Sequence, residues 1–167
     1  MRKLGGNLDV KSNRDSYAVA VAIALLIASV LLVTFYVIDM PSTDPYTTIY
    51  LLDSNGKAAD YPEVLYAGVN STFNVYVYVE NHLGDTTNAT VEVKVTNDSN
   101  PTFPSNVNAT QTFTGTLKDG TIWKNVATVS LNKPGDYLVA FELWISNQET
   151  GTPEYSNNVV ALNVHVA

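Results

Sequence analysis

The chain reads as an all-β protein, an immunoglobulin-like β-sandwich of about seven strands preceded by a single N-terminal transmembrane α-helix. Three observations predict this. Tyr17–Ile38 is a 22-residue stretch without a charge; the rest of the chain alternates apolar and polar residues with period two; and turn-forming clusters interrupt that alternation every 8–15 residues.

The apolar stretch, YAVAVAIALLIASVLLVTFYVI, lies between Arg14 and Asp15 on one side and Asp39 on the other. At about 1.5 Å per residue it reaches roughly 33 Å, enough to cross a hydrocarbon core of about 30 Å. A cleaved signal peptide has a shorter apolar core ending in small residues, whereas this one runs out in YVIDMPST, so an uncleaved signal-anchor is the expected form. A buried core helix would carry a polar stripe. This one has only Ser29 and Thr34, whose hydroxyls can bond back to their own helix. Residues 1–16 hold Arg2, Lys3, Lys11 and Arg14 against Asp9 and Asp15, while the twenty residues after the span hold Lys57 against Asp39, Asp44 and Asp53. The positive-inside rule therefore predicts a cell-membrane protein with a cytoplasmic tail over 1–16, a span over 17–38, a linker over 39–46 and an extracellular domain over 47–167.

Beyond the span, 14 acidic residues face five lysines and no arginine, a formal charge of −9 in a chain of −7 overall. That balance argues against nucleic acid as a partner. Cysteine is absent, which excludes disulfides, thiol nucleophiles and zinc–thiolate sites, and a domain of about 120 residues can bury a sufficient core without them. Four Asn-X-Ser/Thr sequons, at Asn70, Asn88, Asn97 and Asn108, agree with an exterior location, and at least one is expected to carry a glycan.

The strands follow from the alternation. In STFNVYVYVENH, Phe73, Val75, Val77 and Val79 share one face and Asn74, Tyr76, Tyr78 and Glu80 the other; in NATVEVKVTND, Ala89, Val91, Val93 and Val95 oppose Glu92 and Lys94. With NHLGD between them, the two runs predict a β-hairpin. Further strands are expected at Thr47–Leu52, Thr112–Leu117, Ile122–Leu131, Asp136–Ser146 and Asn158–Val166. The breaks fall at Asp53–Gly56, Asp119-Gly120, Lys133–Gly135 and Glu149–Pro153. Gly135-Asp136-Tyr137 opens a strand in the manner of a tyrosine corner, in which a hydroxyl such as that of Tyr137 ties back the preceding connection. Residues 97–110, NDSNPTFPSNVNAT, are expected to form a long exposed loop, and the prolines of DMPSTDPY an extended stalk.

Two motifs, Gly56-Lys57-Ala58-Ala59-Asp60-Tyr61-Pro62 and, some twenty residues on, Asn81-His82, make the stretch from Tyr50 to Asp85 resemble the archaeal domain-of-unknown-function family 1616. The chain departs from that pattern at Leu83, where the family usually has an acidic residue. The resemblance implies a membrane-anchored exterior β-domain and, because the family has no established activity, transfers no catalytic residue.

No enzyme is expected, and no catalytic, metal or cofactor site. His82 lies in the expected turn and His165 on the last strand opposite Val164 and Val166; neither has a ligand-spaced partner. There is no Gly-X-Ser-X-Gly elbow, and Asp53-Ser54-Asn55-Gly56 lacks the later carboxylates of a calcium loop. Aromatic residues are the better lead: Tyr76, Tyr78 and Trp144 alternate with core faces and form a candidate interaction patch. The expected function is a binding or structural module contacting an envelope protein, a glycan or a membrane-complex subunit. The alternatives are an accessory subunit of an envelope-assembly or transport complex held through helix-packing positions Ala20, Ala24 and Ala28, and a glycan-processing enzyme using Asp60 and Glu63.

Overall fold

The computed structural model describes residues 9–38, 44–147 and 150–167, and the chain divides after Asp44 into two compact units. The expected tail before Asp9, linker residues 39–43, and Glu149 of the expected 149–153 turn lie outside the described residues.

Helix α1 spans Asp9–Ile38. It begins eight residues before the apolar stretch, because no proline or glycine interrupts DVKSNRDS, so part of the expected tail is helical. Within it Ser16–Phe35, of mean hydropathy 2.8, is long and apolar enough to cross a membrane. Ser29 and Thr34 bond back as expected: Ser29 Oγ donates to the Leu26 carbonyl and Thr34 Oγ1 to that of Val30, both at 2.8 Å.

The second unit is a sandwich of eight strands: β1 (Tyr46–Leu52), β2 (Val64–Leu65), β3 (Thr72–His82), β4 (Thr87–Thr96), β5 (Gln111–Leu117), β6 (Ile122–Ser130), β7 (Gly135–Ser146) and β8 (Pro153–Val166). One sheet has the order β1-β3-β6 and the other β2-β8-β7-β4-β5. Every pairing is antiparallel except β2 with the end of β8. Strand β8 starts five residues earlier than its alternation indicates; the ladder with β7 shifts register at Leu143/Trp144, and Asn157, at φ 60°, carries the irregularity.

The expected β3–β4 hairpin does not form, since the two strands belong to different sheets. Their valines explain why. Val75, Val77 and Val79 on β3 and Ala89, Val91 and Val93 on β4 are all buried, and they meet face to face in one core with Leu51, Ala127, Val139, Phe141 and Leu143. Side by side in one sheet they would have needed another layer to cover them.

The crossover is held by Asn81, whose side chain is fully buried. Its Nδ2 donates to the Asp85 carbonyl at 2.8 Å and the Leu117 carbonyl at 3.0 Å, and its Oδ1 accepts the Leu83 N–H at 3.0 Å. Its backbone donates to the Thr121 carbonyl and accepts from Gly120 N–H, so the β3–β4 and β5–β6 connections are tied to each other. The tyrosine corner is present: Tyr137 Oη donates to the Lys133 carbonyl at 3.0 Å.

Asn81→Ala would strip partners from two carbonyls and one N–H in a dry site. At about 1–3 kcal/mol per unsatisfied buried group, with some relaxation, the expected loss is about 3 kcal/mol in chemical denaturation, while Asn88→Ala on the exposed face should change stability little.

Candidate functional site

The outer face of the three-stranded sheet is an aromatic surface. Alternation brings Tyr46, Thr48, Tyr50 and Leu52 from β1, Asn74, Tyr76, Tyr78, Glu80 and His82 from β3, and Ile122, Lys124, Val126 and Thr128 from β6 to the side away from the core. Register then places Tyr50 opposite Tyr78, and Tyr78 opposite Lys124. The Tyr50 and Tyr78 rings stack at 5.2 Å with planes 4° apart, and Tyr46 stacks on His82 at 4.6 Å. Lys124 Nζ sits 4.2 Å from the Tyr76 ring centre and 5.4 Å from that of Tyr78. Ile122 and Val126 remain 58% and 44% exposed, apolar surface that no intradomain contact covers.

Tyr50 Oη donates to Glu80 Oε1 at 2.9 Å. Partial burial, then the hydrogen bond and negative charge of Glu80, hold the Tyr50 phenol in its neutral form and push its pKa up to about 12.

The expected three-residue patch is split. Tyr76 and Tyr78 lie on this face, whereas Trp144 lies on the outer face of the five-stranded sheet, because β3 and β7 belong to different sheets. There Trp144 is half-buried against Tyr155 at 5.6 Å, and its indole Nε1 is shielded from solvent without a hydrogen-bond partner.

Beside Trp144 lies a group that the alternation did not reveal. Lys94 and Glu142 point away from the core, yet Glu142 is fully buried and Lys94 is 6% exposed. Residues 97–110 are the cause. They form an irregular and mostly exposed loop, but its midpoint Ser105 is buried against this face, correcting the expectation of a wholly exposed loop. Lys94 Nζ donates to Glu142 Oε2 at 2.8 Å, Glu92 Oε2 at 3.0 Å and the Ser105 carbonyl at 2.8 Å, and Ser105 N–H donates to Glu142 Oε1 at 2.6 Å. Burial pushes the Lys94 ammonium down, but the hydrogen bonds and charges of Glu142 and Glu92 together outweigh it and the net shift is upward. The sequence clue was a Lys and a Glu on neighbouring strands, which without the loop is an ordinary solvated pair.

A cleft of about 980 Å³ lies between Ala59–Glu63, Asn97–Ser99 and the ends of β7 and β8. Asp60 and Glu63, expected as a carboxylate pair, are exposed on its wall, and Asp60 holds a left-handed φ of 62°. His165 faces Asp136 across the β7–β8 ladder, with Nδ1 and Oδ1 2.7 Å apart, and His82 lies 3.4 Å from Glu80. Among the described residues no group of three acidic or histidine side chains is arranged to hold a metal ion. The Asp53 carboxylate is taken up within its own turn by the N–H groups of Lys57 and then Asn55, which hold it below the usual carboxylate range. The four sequon asparagines are all exposed, and Ala20, Ala24 and Ala28 are exposed on α1.

The Tyr50 pKa gives a measurable signature. A tyrosine whose folded pKa exceeds its unfolded value of about 10 stabilises the fold fully below that pH, and the contribution is lost as pH rises towards 12. Ultraviolet titration should show one phenol ionising near 12, and Glu80→Gln should bring it down towards the ordinary value; an unchanged titration would contradict the bond.

The β-domain has solved structural neighbours. The solution structure of the CARDB domain of PF1109 from Pyrococcus furiosus aligns with a TM-score of 0.50 at 17% identity, covering 74% of this chain and 96% of that one. The crystal structure of the same domain, in complex with di-metal ions, aligns at 0.49 and 17% identity over 75% of this chain and 90% of that one. A β-glucosidase from Listeria innocua in complex with glucose aligns at 0.47 and 12% identity, over 74% of this chain but 16% of the enzyme. At these identities the solution structure speaks for the sandwich fold alone. None of the curated proteins matches. The family whose sequence profile covers residues 41–166 is the one anticipated from the Gly56–Pro62 and Asn81-His82 motifs, and the chain belongs to it: Domain of unknown function (DUF1616).

Proposed function

We propose that the protein is a membrane-anchored binding module that displays its β-domain outside the cell and engages a protein of the envelope through the outer face of the three-stranded sheet. The observation that carries this reading is the contrast between that face and the rest of the domain. Glu80 and Lys124 cancel, leaving a formally neutral surface of tyrosines with exposed Ile122 and Val126, on a domain whose formal charge is −9 beyond the span. Charge depletion with aromatic enrichment is the composition of an interface core. No sequon asparagine lies on it: Asn88 is on β4, Asn97 and Asn108 flank the loop between β4 and β5, and Asn70 precedes β3. Glycans at these positions would leave the tyrosine face bare.

The outward orientation rests on the basic residues before the span and the acidic ones after it. Binding rather than turnover is the reading we adopt, since His82 and His165 each pair with a single carboxylate and lie on different sheets. In the alternative, an accessory subunit of an envelope-assembly or transport complex, Ala20, Ala24 and Ala28 of α1 would pack against other membrane helices.

Val126→Glu tests the first reading because Val126 is exposed. Proteins cross-linked to the full-length chain in intact membranes and recovered in detergent should fall at least tenfold with this variant, about 1.4 kcal/mol of binding, while unfolding stability stays within about 0.5 kcal/mol. Retention of the same partners by Val126→Glu, with their loss on Ala24→Leu, would shift the assignment to the helix.

A further inference from the structure

The group formed by Lys94, Glu142, Glu92 and Ser105 lies away from the tyrosine face and plays no part in the binding proposed for it. Its arrangement exceeds what an ion pair requires. Glu142 stands opposite Glu92 in the β4–β7 register, and Lys94 lies one diagonal step along β4. Diagonal neighbours are within reach of long side chains, and here the approach leaves Lys94 Nζ 2.8 Å from a fully buried carboxylate. Ser105 closes the site from above, donating its N–H to the second carboxylate oxygen at 2.6 Å and accepting from Nζ at 2.8 Å. A third group, Glu92 Oε2, is 3.0 Å from Nζ and faces it from the half-exposed side. The Trp144 ring, 5.7 Å from Nζ, shields another side.

These are the parts that an amide condensation needs: an amine nitrogen held 2.8 Å from a carboxylate oxygen, a backbone N–H on the oxygen that will carry negative charge, a second carboxylate to move a proton, and little water. We infer that Lys94 Nζ and Glu142 Cδ become joined by an amide bond, a covalent cross-link between β4 and β7.

The resting state is the ion pair. A proton passes from the Lys94 ammonium to Glu142 Oε2 along their 2.8 Å hydrogen bond, giving the neutral amine and neutral acid from which the bond-forming step starts. The Nζ lone pair attacks Cδ, and the N–C bond forms as the C=O π pair moves onto Oε1, where Ser105 N–H receives it. Glu92 takes a second proton from Nζ and delivers it to Oε2. The Cδ–Oε2 bond breaks, Oε2 leaves as water with the two protons that Nζ has lost, and the carbonyl to Oε1 re-forms. An ammonium and a carboxylate become one amide and one water; net charge is unchanged and no outside reagent is consumed.

The link would also answer a need visible in the composition. The chain has no cysteine, so it cannot close a disulfide. An amide joining residues 48 apart in sequence would constrain the unfolded chain as a long-loop disulfide does.

The test is the mass of the full-length chain, made in a host without N-glycosylation and purified in detergent. The expected mass is lower by one water than the sequence requires, with proteolysis releasing a branched peptide that joins Lys94 to Glu142. Lys94→Arg and Glu142→Ala should each have the full sequence mass, and Glu92→Gln should accumulate the unlinked chain. A wild-type chain at full sequence mass overturns the inference whether or not any variant folds, and so does a water loss that persists in both Lys94→Arg and Glu142→Ala.

Discussion

The sandwich depends on one change of sheet. After β3 the chain leaves the three-stranded sheet and enters the five-stranded one, and Asn81 sits at the point of departure, fully buried, with its side-chain amide bonded to three backbone groups. A polar side chain in a dry position is tolerated only when its groups are satisfied, and once satisfied it specifies one backbone path and rejects its competitors. Because one of the carbonyls belongs to Leu117, at the end of β5, the same residue couples two connections that are distant in sequence. The Asn81-His82 motif is therefore first a device of the fold. His82 itself points outward and stacks on Tyr46.

Two further side-chain amides complete the arrangement. Sheets of three strands have two open edges, each a template for unwanted pairing. Here Gln111, on β5, donates from Nε2 to the Thr128 carbonyl and accepts the Thr128 N–H at 3.2 Å, occupying the β6 edge. Asn158, on β8, donates to the Thr47 carbonyl at 3.0 Å on β1. Both amides come from the larger sheet, so they also bind the two layers to each other at their margins. The tyrosine face between those margins is left uncovered while the edges beside it are engaged.

The two outer faces differ for a reason that lies in the loops. The β5–β6 turn is short and leaves the tyrosine face open, whereas the fourteen residues between β4 and β5 fold back over the five-stranded sheet. That return converts Lys94 and Glu142 from a solvated pair into a buried one. A buried pair made without a partner for each donor and acceptor would be costly, and Ser105 supplies the missing ones.

The seven longer strands, the apolar helix, the Tyr137 corner and the family motifs were legible in the sequence, because periodicity, turn chemistry and composition are local properties, whereas the two-residue β2 is too short to show a period. So was the outward direction of Tyr76 and Tyr78, which follows from alternation alone. What only the tertiary structure decided is which strands share a sheet. The run from Thr72 to Thr96 carries the same alternation whether it closes as a hairpin or crosses between layers, and the choice rests on where its buried valines find a covering face. That choice separated Trp144 from the two tyrosines, and the fold-back of residues 97–110 hid Lys94 and Glu142. Alternation along a strand states which side a residue is on, but not what lies above it, since burial is set by elements that are remote in sequence.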